Sequence, residues 1–274
     1  MLPFQVLQAP ENWRTVDFIS DLHLQEQDTA TFKVWQTYMH NTTADAVFIL
    51  GDLFEVWVGD DAVAHHAFLQ QCAAVLKLCA ATKHVAFMRG NRDFLVGTSF
   101  LHDCHVKDLQ DPTLLNFASH KILLSHGDAG CLADTSYQEF RRMVRQENWQ
   151  STFLAKPLSE RESIARQLRM QSELLKRDPQ TIYADVDDGW TAQWLAQTEA
   201  TCLVHGHTHR PADHRLSLGL GLGLGLGLGL GLGLGLTKTR HVLSDWDAAA
   251  PTPRAEVLRW HSTGKHERVS LLAY

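Results

Sequence analysis

Five short apolar runs recur between residues 15 and 204, and each is followed at once by polar residues. The runs are TVDFIS (15–20), DAVFIL (45–50), HVAFM (84–88), HKILLS (120–125) and TCLV (201–204). Near-continuous apolar runs of this length are typical of strands that are buried on both faces of a sheet. The residues that follow, DLH, GDLFE, GNRDF, HGD and HGHTHR, are therefore expected at the carboxyl ends of strands, where layered α/β folds bind ligands.

Segments with helical spacing of apolar residues separate these predicted strands. Residues 29–40 and 62–82 fit helices that cover a sheet. Farther along, YQEFRRMVRQENWQSTFLA and SERESIARQLRMQSELLKR predict two amphipathic helices, the second opening with a Ser159-x-x-Glu162 capping box. We expect this helical interval to cap the strand ends. The later stretches RHVLSDW, AEVLRWH and RVSLLAY alternate as strands do and are expected to complete a second sheet.

Leucine and glycine alternate without a break from Leu218 to Leu236. The tract is a poor transmembrane helix, because each glycine costs about 0.8–1 kcal/mol relative to alanine in a helix. It also lacks the spacing of a phosphate-binding loop. We interpret it as an expanded dipeptide repeat in a surface loop, since the entropy of loop closure grows slowly with length. Docking of its leucines on a membrane is the alternative hypothesis.

Composition and charge narrow the class of protein. The 274 residues suit one large domain or a domain with an insertion, and the 45% hydrophobic content is ordinary for a globular protein. A formal charge of −6 disfavours nucleic acid as the main partner. Five scattered cysteines without a CxxC pair indicate neither a disulfide framework nor a thiolate zinc site. Without a signal-peptide pattern, a cytoplasmic location is expected.

The polar residues at the predicted strand ends are suited to metal ions, and the chain has sixteen histidines in all. Asp, His and Asn donors without cysteine favour Mn²⁺, Mg²⁺, Fe²⁺ or Zn²⁺ over a soft metal. If the backbone is extended, Asp21-x-His23 and His207-x-His209 each aim both side chains the same way. Asp52 is placed to bridge two ions. Two ions roughly 3.5–4 Å apart can hold a hydroxide and clamp a phosphoryl group.

The blocks Asp-x-His, Gly-Asp, Gly-Asn-Arg-Asp, His-Gly-Asp and Gly-His-Thr-His resemble, in order and spacing, those of the calcineurin-like metallophosphoesterase superfamily. Within it, GDLFEVWVGDD, GNRDFLVG, DTSYQEFR and VHGHTHRPA are most similar to the UDP-2,3-diacylglucosamine hydrolases of bacterial lipid A synthesis. The resemblance covers residues 16 to about 215. It implies an α/β fold, a four-layer αββα sandwich, as a single domain over 14–274. A helical cap insertion is expected at about 132–188, and the Leu-Gly loop at 218–236.

The resemblance also implies two metal ions, taken as Mn²⁺ with Mg²⁺, Fe²⁺ or Zn²⁺ as alternatives. The implied ligands of the first ion are Asp21, His23, Asp52 and His209. Those of the second are Asp52, Asn91, His126 and His207. The implied catalytic residues are Asp52, Asn91, Arg92 and His126. The implied substrate contacts are Asn91, Arg92, Asp134, Ser172, Lys176 and His207.

Two positions set this chain apart from many members of the superfamily. Arg92 stands where many of its phosphatases have histidine; a guanidinium binds phosphate through two hydrogen bonds but donates no proton at neutral pH. Pro179 aligns with a lysine of the family and has no side-chain donor. Another neighbour of the ligands, His205, is expected to form a supporting hydrogen bond rather than to ligate metal.

The implied reaction is hydrolysis of the pyrophosphate bond of UDP-2,3-diacylglucosamine to UMP and 2,3-diacylglucosamine 1-phosphate by a metal-activated hydroxide. The implied partners are this lipid-linked sugar nucleotide and, peripherally, the cytoplasmic surface of the bacterial inner membrane; the oligomeric state is left open. The alternatives are a phosphoesterase acting on nucleotides or dinucleoside polyphosphates, and a non-catalytic scaffold. Seven intact ligands weigh against the scaffold, and Arg92 with the two-helix cap favours the lipid substrate.

Overall fold

The structure is a computed structural model that describes residues 4–176, 184–216 and 238–272, with the side chains of 171–176 left out. These residues form two six-stranded sheets. The first sheet has the order β12-β11-β2-β3-β4-β5 and consists of β2 (Thr15–Ile19), β3 (Ala46–Leu50), β4 (His84–Met88), β5 (Lys107–Leu109), β11 (Glu256–His261) and β12 (His266–Ser270). The second has the order β1-β6-β7-β8-β10-β9 and consists of β1 (Gln5–Gln8), β6 (Thr113–Phe117), β7 (His120–Leu124), β8 (Cys202–His205), β9 (Ala212–Leu216) and β10 (Lys238–Val242).

Both sheets are mixed, and their central strands are parallel. In the first sheet β2, β3, β4 and β5 run parallel, while β11 pairs antiparallel with β2 and β12. In the second sheet β7, β8 and β10 run parallel, β9 pairs antiparallel with β10, and β6 pairs antiparallel with β7 and parallel with β1. The carboxyl ends of the parallel strands of each sheet therefore share one edge.

The helices lie between the strands in sequence. They are α1 (Thr29–Asn41), α2 (Ala67–Ala80), α3 (Thr98–Asp103), α4 (Thr135–Val144), α5 (Glu147–Leu154), α6 (Leu158–Lys176) and α7 (Asp188–Thr198). Short 3₁₀ turns occupy Asp60–His65 and Asp128–Gly130. No helix of the described residues is both long enough and apolar enough to cross a bilayer.

Alternation along the strands builds four layers. In β3, Ala46, Phe48 and Leu50 join the core between the two sheets, whereas Val47 and Ile49 join the core that includes side chains of α1 and α2. In the second sheet, Leu123 of β7 packs in a third cluster with Trp194 and Leu195 of α7. Because successive side chains of a strand point to opposite faces, each sheet is covered on one face by the other sheet and on the other face by helices. The predicted αββα sandwich is confirmed.

Several predicted elements differ in detail. The helix predicted at 62–82 begins at Ala67, because residues 60–65 form a 3₁₀ turn. The segment YQEFRRMVRQENWQSTFLA, predicted as one amphipathic helix, forms two helices, α4 and α5. The predicted capping box is wrong: α6 begins at Leu158, so Ser159 already lies inside the helix. The Glu162 carboxylate instead contacts His66 at 2.8 Å.

The strands are distributed differently from the prediction. The five apolar runs are divided between both sheets, and of the later runs only β11 and β12 extend the first sheet, while β10 lies beside β8 in the second. Apolar periodicity specifies which face of a strand is buried but not which strand is its neighbour. The polar strands β1 (QVLQ) and β9 (ADHRL) were not predicted, because each has too few apolar residues to show a period.

The Leu-Gly tract lies between two neighbouring strands. β9 and β10 pair antiparallel, with Leu216 directly opposite Lys238. Residues 217–237, which include the tract, fall outside the described residues, as do Pro179 and the side chains of Ser172 and Lys176. The loop interpretation of the tract therefore stays a prediction, but the described residues on either side of it, Leu216 and Lys238, are paired across neighbouring strands.

Candidate metal centre

Polar side chains from both sheets meet at the carboxyl ends of five parallel strands. Asp21 and His23 follow β2, and Asp52 follows β3. Asn91 follows β4, His126 follows β7, and the pair His207 and His209 follows β8. All seven predicted ligand residues are thus in strand-end loops, where they form two groups.

The backbone of these loops is not extended, contrary to the prediction for the two Asp-x-His and His-x-His pairs. Five of the seven residues have left-handed backbone, with φ of 55° at Asp21, 48° at His23, 52° at Asp52, 68° at His207 and 51° at His209. Such conformations are costly for residues with a side chain and cluster at functional sites. The sharp turns let neighbouring residues aim at one point, which alternation in a strand would not achieve.

One group of ligand atoms gathers around Asp21. The Nε2 atoms of His23 and His209 lie 3.3 Å apart, and His209 Nε2 lies 3.4 Å from Asp21 Oδ1. His23 Nε2 also lies 3.9 Å from Asp52 Oδ2. These four residues are the predicted ligands of the first ion.

A second group gathers around Asn91. Its Oδ1 lies 2.9 Å from His126 Nε2 and 2.8 Å from His207 Nδ1. His126 Nε2 lies 3.8 Å from Asp52 Oδ1. Asp52, only 1% exposed, therefore turns one oxygen toward each group. This is the position that a bridging carboxylate requires.

Polar contacts on the far side of the His126, His23 and His209 rings orient the three imidazoles. His126 Nδ1 lies 2.8 Å from the Leu50 carbonyl oxygen, so Nδ1–H donates and Nε2 faces the site. His23 Nδ1 lies 2.9 Å from Glu55 Oε2, at ion-pair distance but outside hydrogen-bond geometry. His209 Nδ1 lies 3.7 Å from Asp245 Oδ2. All three rings present Nε2 to the site.

The donor set fits a divalent cation. Asp21 is fully buried; its Oδ2 accepts from the Ser20 hydroxyl at 2.6 Å and from the His207 main-chain N–H at 2.9 Å. Its Oδ1 has no hydrogen-bond partner among the described residues, although it faces the His209 ring. A buried carboxylate oxygen without a donor is costly, and a bound cation removes that cost. Oxygen and imidazole donors of this kind suit Mn²⁺, Mg²⁺, Fe²⁺ or Zn²⁺.

A second His/Asp cluster fits a metal less well. The atoms of Asp213, His241 and His266 also approach one another within 4.8 Å. Both nitrogens of His241 are already hydrogen-bonded, to Asp213 Oδ1 at 2.9 Å and to Thr239 Oγ1 at 3.0 Å. Arg268 neutralises the Asp213 carboxylate at 2.6 Å. This cluster is satisfied by its own hydrogen bonds, in contrast to the strand-end site.

The site charges perturb one another strongly in the metal-free protein. Burial favours the neutral imidazole of His126, but the Asp52 and Asp128 carboxylates outweigh it and raise the pKa of His126 to about 9. Burial, together with the charge of His126, lowers the pKa of His207 to about 4. Despite burial, the neighbouring histidines, His209 first, hold the pKa of Asp21 below its usual range. Metal binding therefore has to displace a proton from His126.

Glycines beside the ligands allow the loops to approach closely. Gly51, immediately before Asp52, has a φ of +92°, and a Cβ there would lie 2.5 Å from His126 Nδ1. The Asp93 carboxylate ties this turn to the next strand end, because it accepts the N–H of Leu53 and of Gly90, each at 2.8 Å. Asp93 thus supports the loop that carries Asp52, since its carboxylate oxygens accept main-chain N–H groups.

Helix α4 supports the second group through one buried carboxylate. Asp128, fully buried, accepts the Tyr137 hydroxyl at 2.6 Å and Arg141 Nε at 2.8 Å. The Tyr137 ring stacks on the His207 ring with centroids 5.7 Å apart. Arg145, one helical turn beyond Arg141, donates to the Gly90 carbonyl at 2.8 Å. These three side chains were not predicted from the sequence, although their spacing of four residues in YQEFRRMVR places them on one helix face.

His205 and Asp134 have local roles. His205 is fully buried, its Nδ1 donates to the Gly206 carbonyl at 2.8 Å, and burial lowers its pKa to about 3. This agrees with a supporting hydrogen bond rather than ligation. Asp134 is the N-cap of α4 and accepts the Tyr137 main-chain N–H at 3.0 Å. Its predicted substrate contact stays a prediction, as do those of Ser172 and Lys176.

A carboxylate placed between two His-rich groups, at the strand ends of an α/β sandwich, defines a metal-dependent phosphoesterase. The sequence profile of the calcineurin-like phosphoesterases matches residues 14–211. The chain belongs to the UDP-2,3-diacylglucosamine hydrolases of the calcineurin-like phosphoesterase family.

Three curated relatives, all called UDP-2,3-diacylglucosamine hydrolase, illustrate the similarity. The chain is 38% identical over 251 residues to the protein of Aromatoleum aromaticum, covering 90% of this chain and 93% of the relative. It is 44% identical over 207 residues to that of Chromobacterium violaceum, covering 73% and 84%. It is 38% identical over 254 residues to that of Xanthomonas axonopodis pv. citri, covering 85% and 91%.

Proposed function

We propose that the protein hydrolyses the pyrophosphate bond of UDP-2,3-diacylglucosamine, releasing UMP and 2,3-diacylglucosamine 1-phosphate. The observation that carries the proposal is the cluster of carboxylate, amide and imidazole ligand atoms on both sides of Asp52, in a chain 38–44% identical to hydrolases of that name. The mechanism needs nothing from the Leu-Gly tract.

The proposed ligands divide into two sets that share Asp52. Asp21, His23, Asp52 and His209 would hold one divalent ion, and Asp52, Asn91, His126 and His207 the other, as two Mn²⁺ per chain with Mg²⁺, Fe²⁺ or Zn²⁺ as alternatives. When bound, such a pair of ions lowers the pKa of a water molecule and offsets negative charge on the phosphates. The support is the distances of 2.8–3.9 Å among these side chains.

Arg92 is proposed to bind the diphosphate. Its guanidinium is mostly buried beside Glu55, and its planar fork can bind two phosphate oxygens at once. Its main-chain N–H donates to Asp52 Oδ1 at 2.8 Å, so phosphate recognition is joined to the shared carboxylate. A guanidinium keeps its proton at neutral pH, and a phosphate group such as that of UMP can leave as an anion without receiving one.

The segment 132–188 is proposed to act as a cap within one domain spanning 14–274. Helix α4 of this segment reaches the site through Tyr137 and Arg141, which contact Asp128, and α6 reaches it through Arg169, which contacts Glu55. Asp134, Ser172 and Lys176 are the proposed polar substrate contacts of this cap.

Peripheral association with the cytoplasmic side of the inner membrane is proposed because the substrate carries two acyl chains. Leu132, Met143, Leu154 and Met170 of the cap segment are exposed by 40–66%. Flotation of the protein with phospholipid vesicles, and its absence from the floated fraction when these four residues are changed to serine, would support this placement.

A panel of substrates tests the reaction. The Mn²⁺-loaded protein is incubated separately with UDP-2,3-diacylglucosamine, a cyclic nucleotide and a dinucleoside polyphosphate, and products are identified by mass spectrometry. Release of UMP and the sugar 1-phosphate from the first substrate alone is expected. Rapid hydrolysis of either nucleotide without hydrolysis of the lipid substrate would assign the protein to the alternative class, and no hydrolysis of any would indicate a scaffold.

A further inference from the structure

Glu55 is not one of the proposed metal ligands, but it contacts one of them. The side chain is only 8% exposed, and it lies three residues after the shared carboxylate Asp52. Its two oxygens face different parts of the molecule. Oε2 lies 2.9 Å from His23 Nδ1, whereas Oε1 lies 3.2 Å from Arg169 Nε and 3.8 Å from an Arg92 nitrogen.

The contact with His23 fixes which nitrogen faces the site. A carboxylate beside Nδ1 favours the tautomer that carries its proton there, and this leaves the Nε2 lone pair free. His23 Nε2 is the atom that lies 3.3 Å from His209 Nε2 and 3.9 Å from Asp52. Glu55 therefore orients a proposed ligand without being one.

The contact with Arg169 reaches the cap. Arg169 lies on α6, and it also approaches Gln25, in the segment after β2, at 3.5 Å. Near its start, α6 contacts the segment after β3 through Arg161, which donates to the Val58 carbonyl and pairs with Asp61. Arg161 and Arg169 are eight residues apart, about 12 Å along a helix. The loop that carries Asp52 and Glu55 is thus bound to the same helix at two places.

We infer that Glu55 is a positioning residue that couples the first metal group to the cap, by orienting His23 with one oxygen and holding Arg169 of α6 with the other. Loading the site fixes His23, and through Glu55 it holds α6 in place. The inference deepens the proposed function and rests on the same site being used. Its consequence is that the cap is ordered by metal loading as well as by substrate.

Two measurements without substrate test the coupling. The first is titration of chelator-treated protein with Mn²⁺ alone, and the second is hydrogen–deuterium exchange of α6 with and without Mn²⁺. The variants are Glu55→Ala, Glu55→Gln and Arg169→Gln. The matched control is Glu162→Gln, which removes a different contact of α6, the one with His66. Thermal melting of each variant identifies any that does not fold, and the isosteric Glu55→Gln serves if Glu55→Ala is lost.

The coupling predicts a separate pattern for each variant. Glu55→Ala should weaken the binding of one of two Mn²⁺ ions by about 10–100-fold, the usual effect of losing a partner of a ligating histidine. Glu55→Gln should retain more affinity, because its amide oxygen still places a partial negative charge beside His23 Nδ1. Arg169→Gln should lose the metal-dependent protection of α6, and because coupling is reciprocal it should weaken Mn²⁺ binding only by the factor that this lost coupling accounts for, less than Glu55→Ala does. The control should keep both properties.

Two results would overturn the inference: wild-type Mn²⁺ affinity in Glu55→Ala, or undiminished metal-dependent protection of α6 in Arg169→Gln. Neither measurement needs a reaction. A protein that releases no UMP but shows the predicted metal and exchange pattern would reject the proposed function and leave the coupling intact.

Discussion

Replacing Asp128 with asparagine should destabilise the metal-free protein by a predictable amount. Asp128 is fully buried and accepts two short hydrogen bonds, from the Tyr137 hydroxyl at 2.6 Å and from Arg141 Nε at 2.8 Å. Asparagine has nearly the same shape, and its single oxygen can still accept from Tyr137. It carries no charge, so the Arg141 guanidinium loses its ionic partner.

The cost follows from the burial of the two partners. Breaking one side of a fully buried ion pair costs roughly 3–5 kcal/mol, and a hydrogen bond to a charged group contributes about 1.5–3 kcal/mol. Because the Arg141 side chain is 22% exposed, water recovers part of its solvation, and the lower range applies. We expect a loss of about 2 kcal/mol, or about 4–8 °C in the thermal midpoint for a chain of this size.

Urea denaturation followed by circular dichroism, with chelator present, measures the change. Tyr137→Phe should cost less, about 1 kcal/mol, because it removes only the hydroxyl and leaves the ion pair. Glu160→Gln is the control: it breaks a solvent-exposed pair with Lys156, and its effect should stay within about 0.5 kcal/mol. If Asp128→Asn were as stable as this control, the buried carboxylate would not be what fixes α4 to the site, and the reasoning would fail.

Three further predictions concern pH, phosphate recognition and the Leu-Gly tract. Because Asp52 and other carboxylates outweigh burial and raise the pKa of His126 to about 9 from 6.5, its proton stabilises the metal-free fold fully below pH 6.5, and this contribution is lost as the pH rises through about 9. The thermal midpoint in chelator should therefore fall more steeply across this interval in the wild type than in His126→Asn, and parallel curves would contradict the assignment. Arg92→Lys should lower kcat/KM for the diphosphate substrate by about 10-fold or more, since an ammonium cannot bind two oxygens in one plane; unchanged kinetics would exclude guanidinium recognition. Replacing the tract between Leu216 and Lys238 with Asn-Gly should leave activity and membrane fraction unchanged, because these residues are already paired across a hairpin that a two-residue turn can close; loss of the membrane fraction would instead support docking of the leucines.

Five strands and the candidate metal ligands could be predicted from residue type and from the local spacing of apolar residues. Continuous apolar runs identified β2, β3, β4, β7 and β8, and the Asp, His and Asn residues after them identified the ligand candidates. These inferences succeed because burial on both faces demands apolar residues, and because hard metals demand oxygen and nitrogen donors.

Strand neighbours, loop backbone conformation and contacts between distant residues depend on long-range packing and could not be predicted from the sequence. β10 pairs with β8 in the second sheet. The spacing of apolar residues along a strand does not specify its neighbour, so this pairing could not be predicted. The left-handed backbone at Asp21 and His23 reverses the assumption of an extended segment. Glu55 and Arg169 are 114 positions apart, and only the folding of the chain brings these two side chains into contact.

Metal-dependent release of UMP tests the central claim most directly. Chelator-treated protein is given UDP-2,3-diacylglucosamine, first without metal and then with Mn²⁺, and UMP is quantified for the wild type and for Asp52→Ala. We expect no UMP without metal, rapid release after Mn²⁺ is added, and release at background level in Asp52→Ala, because the variant lacks the carboxylate shared by the two groups. Release of UMP that does not need metal, or that continues unchanged in Asp52→Ala, would contradict the account.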